Sequence, residues 1–195
     1  MILLQHNFGD QSLLNLSEPI HLAYAKRHSA GFIVSTENLV PNLPLQWNKF
    51  QLMLMIAKNE KDDELLIWLD HDCLIIGDEE FNIPPLADFG AVWNLDLKFN
   101  TGVIVMRNSQ RSREYFEQCL DLGEMPKEEL HDQSRFNYEI HQSLIRVDVL
   151  NSRWNYYYNA WGRPQHPIQI MAWHDMDKHS AVLEMRKEIH VLRKT

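Results

Sequence analysis

Between Leu65 and Ile76 the chain runs apolar, turns acidic, then runs apolar again: Leu65-Leu66-Ile67-Trp68-Leu69, Asp70-His71-Asp72, Cys73-Leu74-Ile75-Ile76. A short continuous apolar run of this kind is what a strand buried on both faces requires. The acidic pair is thereby fixed at the strand's carboxyl end, between two segments that must leave water. A carboxylate held there without a partner is costly, so this stretch constrains both fold and chemistry.

The surrounding pattern supplies the layers. Ile2-Leu3-Leu4 reads as a strand, followed by a polar turn at Gly9-Asp10. Ser17-Glu18-Pro19 then offers a cap residue with proline just inside a helix that runs through Tyr24 to Arg27. Gly31 to Ser35 reads as a second strand, and Trp47 to Ala57, with Phe50, Leu52, Met53, Leu54 and Ile56, as a helix buried over much of its surface. Strand, helix, strand, helix, strand predicts an α/β fold: a three-layer sandwich with helices over a mainly parallel mixed sheet. Beyond it, Phe89 to Trp93 and Phe99 to Arg107 read as strands, Arg113 to Leu122 as a helix, and His131-Asp132-Gln133 as the start of a helix reaching Gln142. Leu144 to Leu150 follows as a strand, Trp154 to Tyr158 as an aromatic loop, Ile168 to Trp173 as a strand and Lys178 to Arg193 as a helix. No repeat or linker interrupts the 195 residues, which predicts one domain with a less regular region from about residue 150.

Composition narrows the partners. Asp and Glu outnumber Lys and Arg 27 to 19, and no basic stripe appears, which argues against binding nucleic acid through its phosphates. The first residues turn polar too soon for a signal peptide, and no stretch reaches the ~18 apolar residues of a spanning helix. The expectation is a cytoplasmic protein, with peripheral membrane contact left open. Cys73 and Cys119 have no metal-ligand spacing. Gly-rich phosphate loops, a Gly-x-Ser-x-Gly elbow and a His-Glu-x-x-His pair are all missing from the sequence, which weakens kinase, dinucleotide, serine hydrolase and zinc protease readings.

The chemistry should sit at the strand ends, where open α/β sheets bind ligands. Asp70 and Asp72 can converge on one Mg or Mn ion that also takes phosphate oxygens; an acidic loop facing water is the plainer reading. His174, after the apolar run ending in Trp173, suits a third ligand or a structural histidine, with Asp175 and Asp177 as alternatives. Asn100-Thr101-Gly102 opens a strand with an amide, a hydroxyl and a residue that permits close approach, suited to sugar hydroxyls or to a simple turn. Asp132-Gln133 suits a reacting centre or a helix cap equally.

Taken together, Leu65 to Ile75 and Phe99 to Ser109 resemble the paired motifs of glycosyltransferases with the nucleotide-diphospho-sugar transferase (GT-A) fold. The pattern is similar to the galactosyl and mannosyl transferases related to yeast α-1,2-galactosyltransferase, with Tyr24-Ala25-Lys26-Arg27-His28 in the place of that group's tyrosine-rich helix end. The resemblance implies a Mn²⁺ or Mg²⁺ ion on Asp70, Asp72 and His174, and Asp132, Gln133 and Asn100 at the reacting centre. It further implies donor contacts from Asn7, Phe8, Tyr24, Asp70, His71, Thr101, Gly102 and Lys178. Where the group has a glycine soon after the late histidine, this chain has Asp175-Met176-Asp177-Lys178. The implied activity is transfer of a sugar from a nucleotide-diphosphate sugar, UDP favoured, to a hydroxyl of a glycan or other acceptor. A metal-dependent phosphatase or nucleotidyl transferase, or a sugar-binding relative without turnover, is the alternative.

Overall fold

The computed structural model describes residues 1–9, 11–94, 98–121, 131–157, 167–174 and 176–192. Six of the apolar runs become strands of one sheet: β1 (Ile2–His6), β2 (Gly31–Ser35), β3 (Leu65–Leu69), β5 (Phe89–Trp93), β6 (Phe99–Arg107) and β7 (Val147–Leu150). Their order is β2-β1-β3-β6-β5-β7. β1 pairs parallel with β2 and β3, and β5 with β7, while β6 runs antiparallel between β3 and β5. The sheet is therefore the mixed, mainly parallel one expected, with β6 alone reversed.

Helices cover both faces, which is why β3 is apolar throughout. Leu66 and Trp68 face one side, where α2 (Asn48–Asn59), α3 (Gln110–Leu120) and α4 (Asp132–Gln142) bury Phe50, Met53, Phe116 and Phe136 against them. Ile67 and Leu69 face the other, packed with Tyr24 and Ala25 of α1 (Leu14–Arg27). Successive residues of a strand point to opposite faces, so a strand with no polar position belongs between two layers. A smaller sheet, β4 (Cys73–Ile75), β9 (Ile170–Ala172) and β8 (Tyr156–Tyr157), lies beside this sandwich. α5 (Lys178–Leu192) closes it by setting Ala181, Met185 and Ile189 against Leu74, Met171 and Trp173.

Three local expectations shift. α1 begins at Leu14, so Ser17 and Pro19 lie inside it and Ser17 caps nothing. Its hydroxyl instead accepts from Gln5 Nε2 at 3.1 Å, within a buried relay in which Gln5 Oε1 meets His21 Nδ1 at 3.3 Å and His21 Nε2 accepts the Ile75 N–H at 3.2 Å. α3 starts at Gln110 rather than Arg113, because Ser109 and Ser112 form a reciprocal cap over its first turn. Tyr156-Tyr157, expected in a loop, pairs with β9 as a two-residue strand. Asp10, Leu122, Tyr158, Asp175 and Arg193 lie outside the described residues.

The relay joins α1, β1 and β4 through one imidazole with no exposure to solvent. Accepting from Ile75 leaves Nδ1 as the protonated nitrogen, and burial pushes the His21 pKa down to about 3. The folded value lies below the unfolded one, so acid favours the unfolded chain, and this contribution to stability is lost as pH falls from about 6.5 towards about 3. His21→Leu is expected to cost roughly 1–3 kcal/mol at neutral pH by stranding Gln5 and the Ile75 N–H. In urea titrations across this pH range, the gap between variant and native protein should narrow with acid; a gap independent of pH would show that His21 is not held neutral.

Candidate active site

Four elements converge at one end of the main sheet. β3 ends at Leu69 and delivers Asp70; the Asp70 N–H donates to the Gly102 carbonyl at 2.8 Å, which ties it to the start of β6. The first residues of α4 bring Asp132 and Gln133 over the same β6 residues: Thr101 Oγ1 donates to Asp132 Oδ2 at 2.8 Å and Thr101 N–H to Gln133 Oε1 at 3.4 Å. Asn137, one turn further along α4, clamps the Phe99 backbone through its amide at 2.7 and 2.9 Å. The α4 N-terminus is thus pinned to β6 by side-chain bonds on both sides of Asn100.

At the centre lies Lys49, in the first turn of α2 and only 3% exposed. Its ammonium donates to Asp132 Oδ2 at 2.6 Å and the Thr101 carbonyl at 2.8 Å, and lies 3.1 Å from Asp70 Oδ1. Asp70 Oδ1 also accepts from Trp68 Nε1 at 2.6 Å. Burial alone would discharge this lysine, but Asp132 and Asp70 together hold its pKa above the ordinary value. Reciprocally, burial would raise Asp132, but the Lys49 charge together with hydrogen bonds from Lys49, Thr101 and the Gln133 backbone outweighs it, so the carboxyl titrates below the usual range.

Asp72 belongs to a second cluster, formed by the small sheet. β4 pairs antiparallel with β9 so that Cys73 lies opposite Ala172. One residue beyond, the Trp173 N–H donates to the Asp72 carbonyl at 3.2 Å. That register sets His174 beside Asp72, with Nδ1 to Oδ2 at 3.0 Å. On its other side His174 Nε2 meets Asn155 Oδ1 at 3.2 Å, and Asn155 Nδ2 donates to Asn100 Oδ1 at 2.6 Å. Gly102 makes room: a Cβ there would stand 2.6 Å from His174 Cε1. Burial works against both ionised groups, but their attraction lowers Asp72 to about 2 and raises His174.

A cavity of about 270 Å³ opens beside the Lys49 cluster, lined by His6, Asn7, Phe8, Leu45, Gln46, Trp68, His71 and the Asp70 and Asp132 carboxylates. Phe8 is 49% exposed on its rim, a face on which a planar ring can stack.

No family model matches the sequence, and no curated protein matches it. A glycosyltransferase involved in glycosylation of the major capsid of PBCV-1 superposes with a TM-score of 0.79 at 15% identity, covering 95% of this chain and 98% of that one. The galactosyltransferase LgtC, in complex with donor and acceptor sugar analogues, gives 0.64 at 13% identity over 100% and 96% of the two chains. Mouse xyloside xylosyltransferase 1 gives 0.53 at 12%, over 90% and 98%. At such identities the likeness shows the fold: this chain has the GT-A type of α/β fold. It extends to sugar transferases of several kinds and does not single out the group related to the yeast enzyme.

Of the residues singled out from the sequence, Asn7, Phe8, Asp70, His71 and Asp132 line the cavity. Thr101 and Gln133 bond to the groups behind the cavity, and Asn100, Gly102, Asp72 and His174 belong to the adjoining cluster. Tyr24 is not among them. It is buried beneath Phe81, with its hydroxyl donating to the Glu79 carbonyl at 2.6 Å. Lys178 is exposed at the first turn of α5, and Asp177 accepts the Ser180 N–H at 3.1 Å, which is a helix-capping contact. The residues missed are Lys49, His6, Trp68 and Asn155. For Lys49 a signal existed, since it shares a helical stripe with Phe50, Met53 and Ala57, all buried.

The Lys49 ammonium neutralises two carboxylates at once. Lys49→Met should destabilise the protein by about 3 kcal/mol, because removing one partner of a buried ion pair leaves the other charge uncompensated. Adding Asp132→Asn should restore part of that loss in chemical denaturation. Equal stability of the native protein and Lys49→Met would remove Lys49 from this role.

Proposed function

We propose that this chain is a metal-dependent glycosyltransferase that moves a sugar from a nucleotide-diphosphate donor, UDP-sugar favoured, to a hydroxyl acceptor such as a glycan. The observation that carries the proposal is the Asp72–His174 pair at the carboxyl end of a GT-A type sheet, next in the chain to His71 and Asp70, which with Asp132 line a cavity. The galactosyltransferase of the same fold was solved with donor and acceptor sugar analogues, which supports a sugar-transfer reading for a chain superposing on it along its whole length.

Among the described residues no group of three His, Cys, Asp or Glu side chains stands close enough to hold an ion. The pair nevertheless fits one. The His174 imidazole and the Asp72 carboxylate, 3.0 Å apart, supply a mixed nitrogen and oxygen donor set of the kind that would suit Mn²⁺ over Mg²⁺. Asp72 and His174 would hold the ion, and Asp70 would join them by loosening its contact with Lys49. Bound there, a divalent cation would offset the charge of the donor diphosphate as it leaves.

The remaining roles fall to the chain itself. Lys49 is the buried cation of the cavity wall and faces the donor's negative end. Asp132 is kept ionised beside it, and with Gln133 and Asn100 it orients sugar hydroxyls by accepting and donating hydrogen bonds. Phe8 and Asn7 on the rim receive the nucleotide base, with Phe8 as the stacking face. Catalysis of this kind rests on positioning and charge stabilisation rather than on a strong nucleophile.

Calorimetric titration with UDP and with GDP, with Mn²⁺ present and then removed, tests the reading. UDP binding should require Mn²⁺ and weaken by roughly tenfold or more in Asp72→Ala. Gly102→Ala should do the same while remaining folded, because its methyl group displaces the His174 ring. Binding of neither nucleotide by correctly folded native protein would overturn the proposal for these donors, and metal-independent binding would overturn the role of Asp72 and His174.

A further inference from the structure

At the end of the sheet away from β2, β7 pairs with β5, and among the described residues no strand pairs with its outer edge. The phase of that edge can be read from the backbone. The Arg146 carbonyl accepts the Phe89 N–H at 3.2 Å and the Arg146 N–H donates to Asp88 Oδ2 at 2.9 Å, so both backbone groups of Arg146 face β5. Backbone groups alternate sides along a strand, so Val147 and Val149 turn theirs outward. Around them Val149 is 61% and Leu144 90% exposed. An apolar, β-branched edge with open hydrogen-bonding groups is a template for another strand.

The side chains specify which strand. Arg146 and Asp148 flank Val147 with opposite charges. When two copies of the edge pair antiparallel about a two-fold axis through Val147, each Arg146 faces the other copy's Asp148, and each Ile145 faces Val149. Val147 then forms the hydrogen-bonded central pair, as its outward groups require, and the charged residues fall at the non-hydrogen-bonded positions where side chains approach most closely. An axis through Asp148 would set aspartate against aspartate, and one through Arg146 arginine against arginine; like charges directly opposite are destabilising. A single charge on an edge strand discourages pairing, whereas opposite charges two residues apart reward one register and penalise its neighbours. We infer that β7 is the interface of a homodimer in which two six-stranded sheets join antiparallel into one, centred on Val147. This dimer is independent of the proposed activity, since none of its residues lines the cavity beside Lys49.

Sedimentation of the purified full chain over a concentration series tests it. The native protein should dimerise, and Arg146→Asp and Asp148→Arg should each give a monomer by placing like charges opposite one another. The double variant Arg146→Asp/Asp148→Arg should dimerise again, which no loss of folding could produce. Val147→Pro removes an outward N–H that makes no bond to β5, so it should yield a folded monomer by circular dichroism. A native protein that stays monomeric at every concentration, or a dimer indifferent to these changes, would overturn the inference. Failure of the double variant to recover the dimer would overturn its register.

Discussion

The arrangement of the site depends on a buried ammonium group. Lys49 reaches from α2 to the end of β3 through Asp70, to β6 through the Thr101 carbonyl and to α4 through Asp132. Each acceptor lies on a different element, and each would carry an unmet charge or dipole without it. A hydrophobic residue could pack in that place, but it would offer nothing to hold two carboxylates at the rim of a cavity. The ion cluster therefore decides where α4 begins relative to the sheet, and with it where Asp132 and Gln133 stand. The helical layer is tied to the sheet by charge here and by Phe50, Phe116 and Phe136 elsewhere.

The fold was legible where burial leaves a mark on the sequence. Stretches of strand covered on both faces are apolar at every residue, so β3 and residues 103–106 of β6 stood out, and the spacing of helices between the early strands indicated parallel pairing. Direction was harder to read. Nothing in Phe99 to Arg107 distinguishes a strand running with β3 from one running against it, because side-chain alternation is the same in both. The start of α1 was misplaced because Ser17 and Pro19 look like a helix opening, yet Ser17 is buried in the Gln5–His21 relay, which spans residues far apart in sequence.

The site was legible in the same uneven way. Asp70, Asp72, Asn100 and Thr101 are polar residues at the ends of apolar runs, where polarity has to be explained, and Asp132 stood out only as the start of a helix. Lys49 escaped notice because a lone lysine in a helix is ordinarily a solvent-facing residue with its stem along the surface. Its companions Asp70 and Asp132, 21 and 83 residues away, gave no local hint. The pairing of Asp72 with His174, 102 residues apart, arises from the register of β4 on β9, and no spacing rule contains it. Asn155 is similar: a single amide in an aromatic stretch, buried because it bridges His174 and Asn100.

These two clusters together set the charge of the cavity. Asp70, Asp72 and Asp132 bring three carboxylates to one end of the sheet, and the described groups that can offset them are Lys49 and, when protonated, His174 and His71. Lys49 is already shared between two acids. A diphosphate entering this space meets a field with little positive charge to spare, and in a partly dry site that deficit weighs far more than it would in water. If the cavity takes a nucleotide-sugar, additional positive charge has to arrive with it or before it. Asp72 and His174 mark where a cation could lodge without taking Lys49 from Asp132.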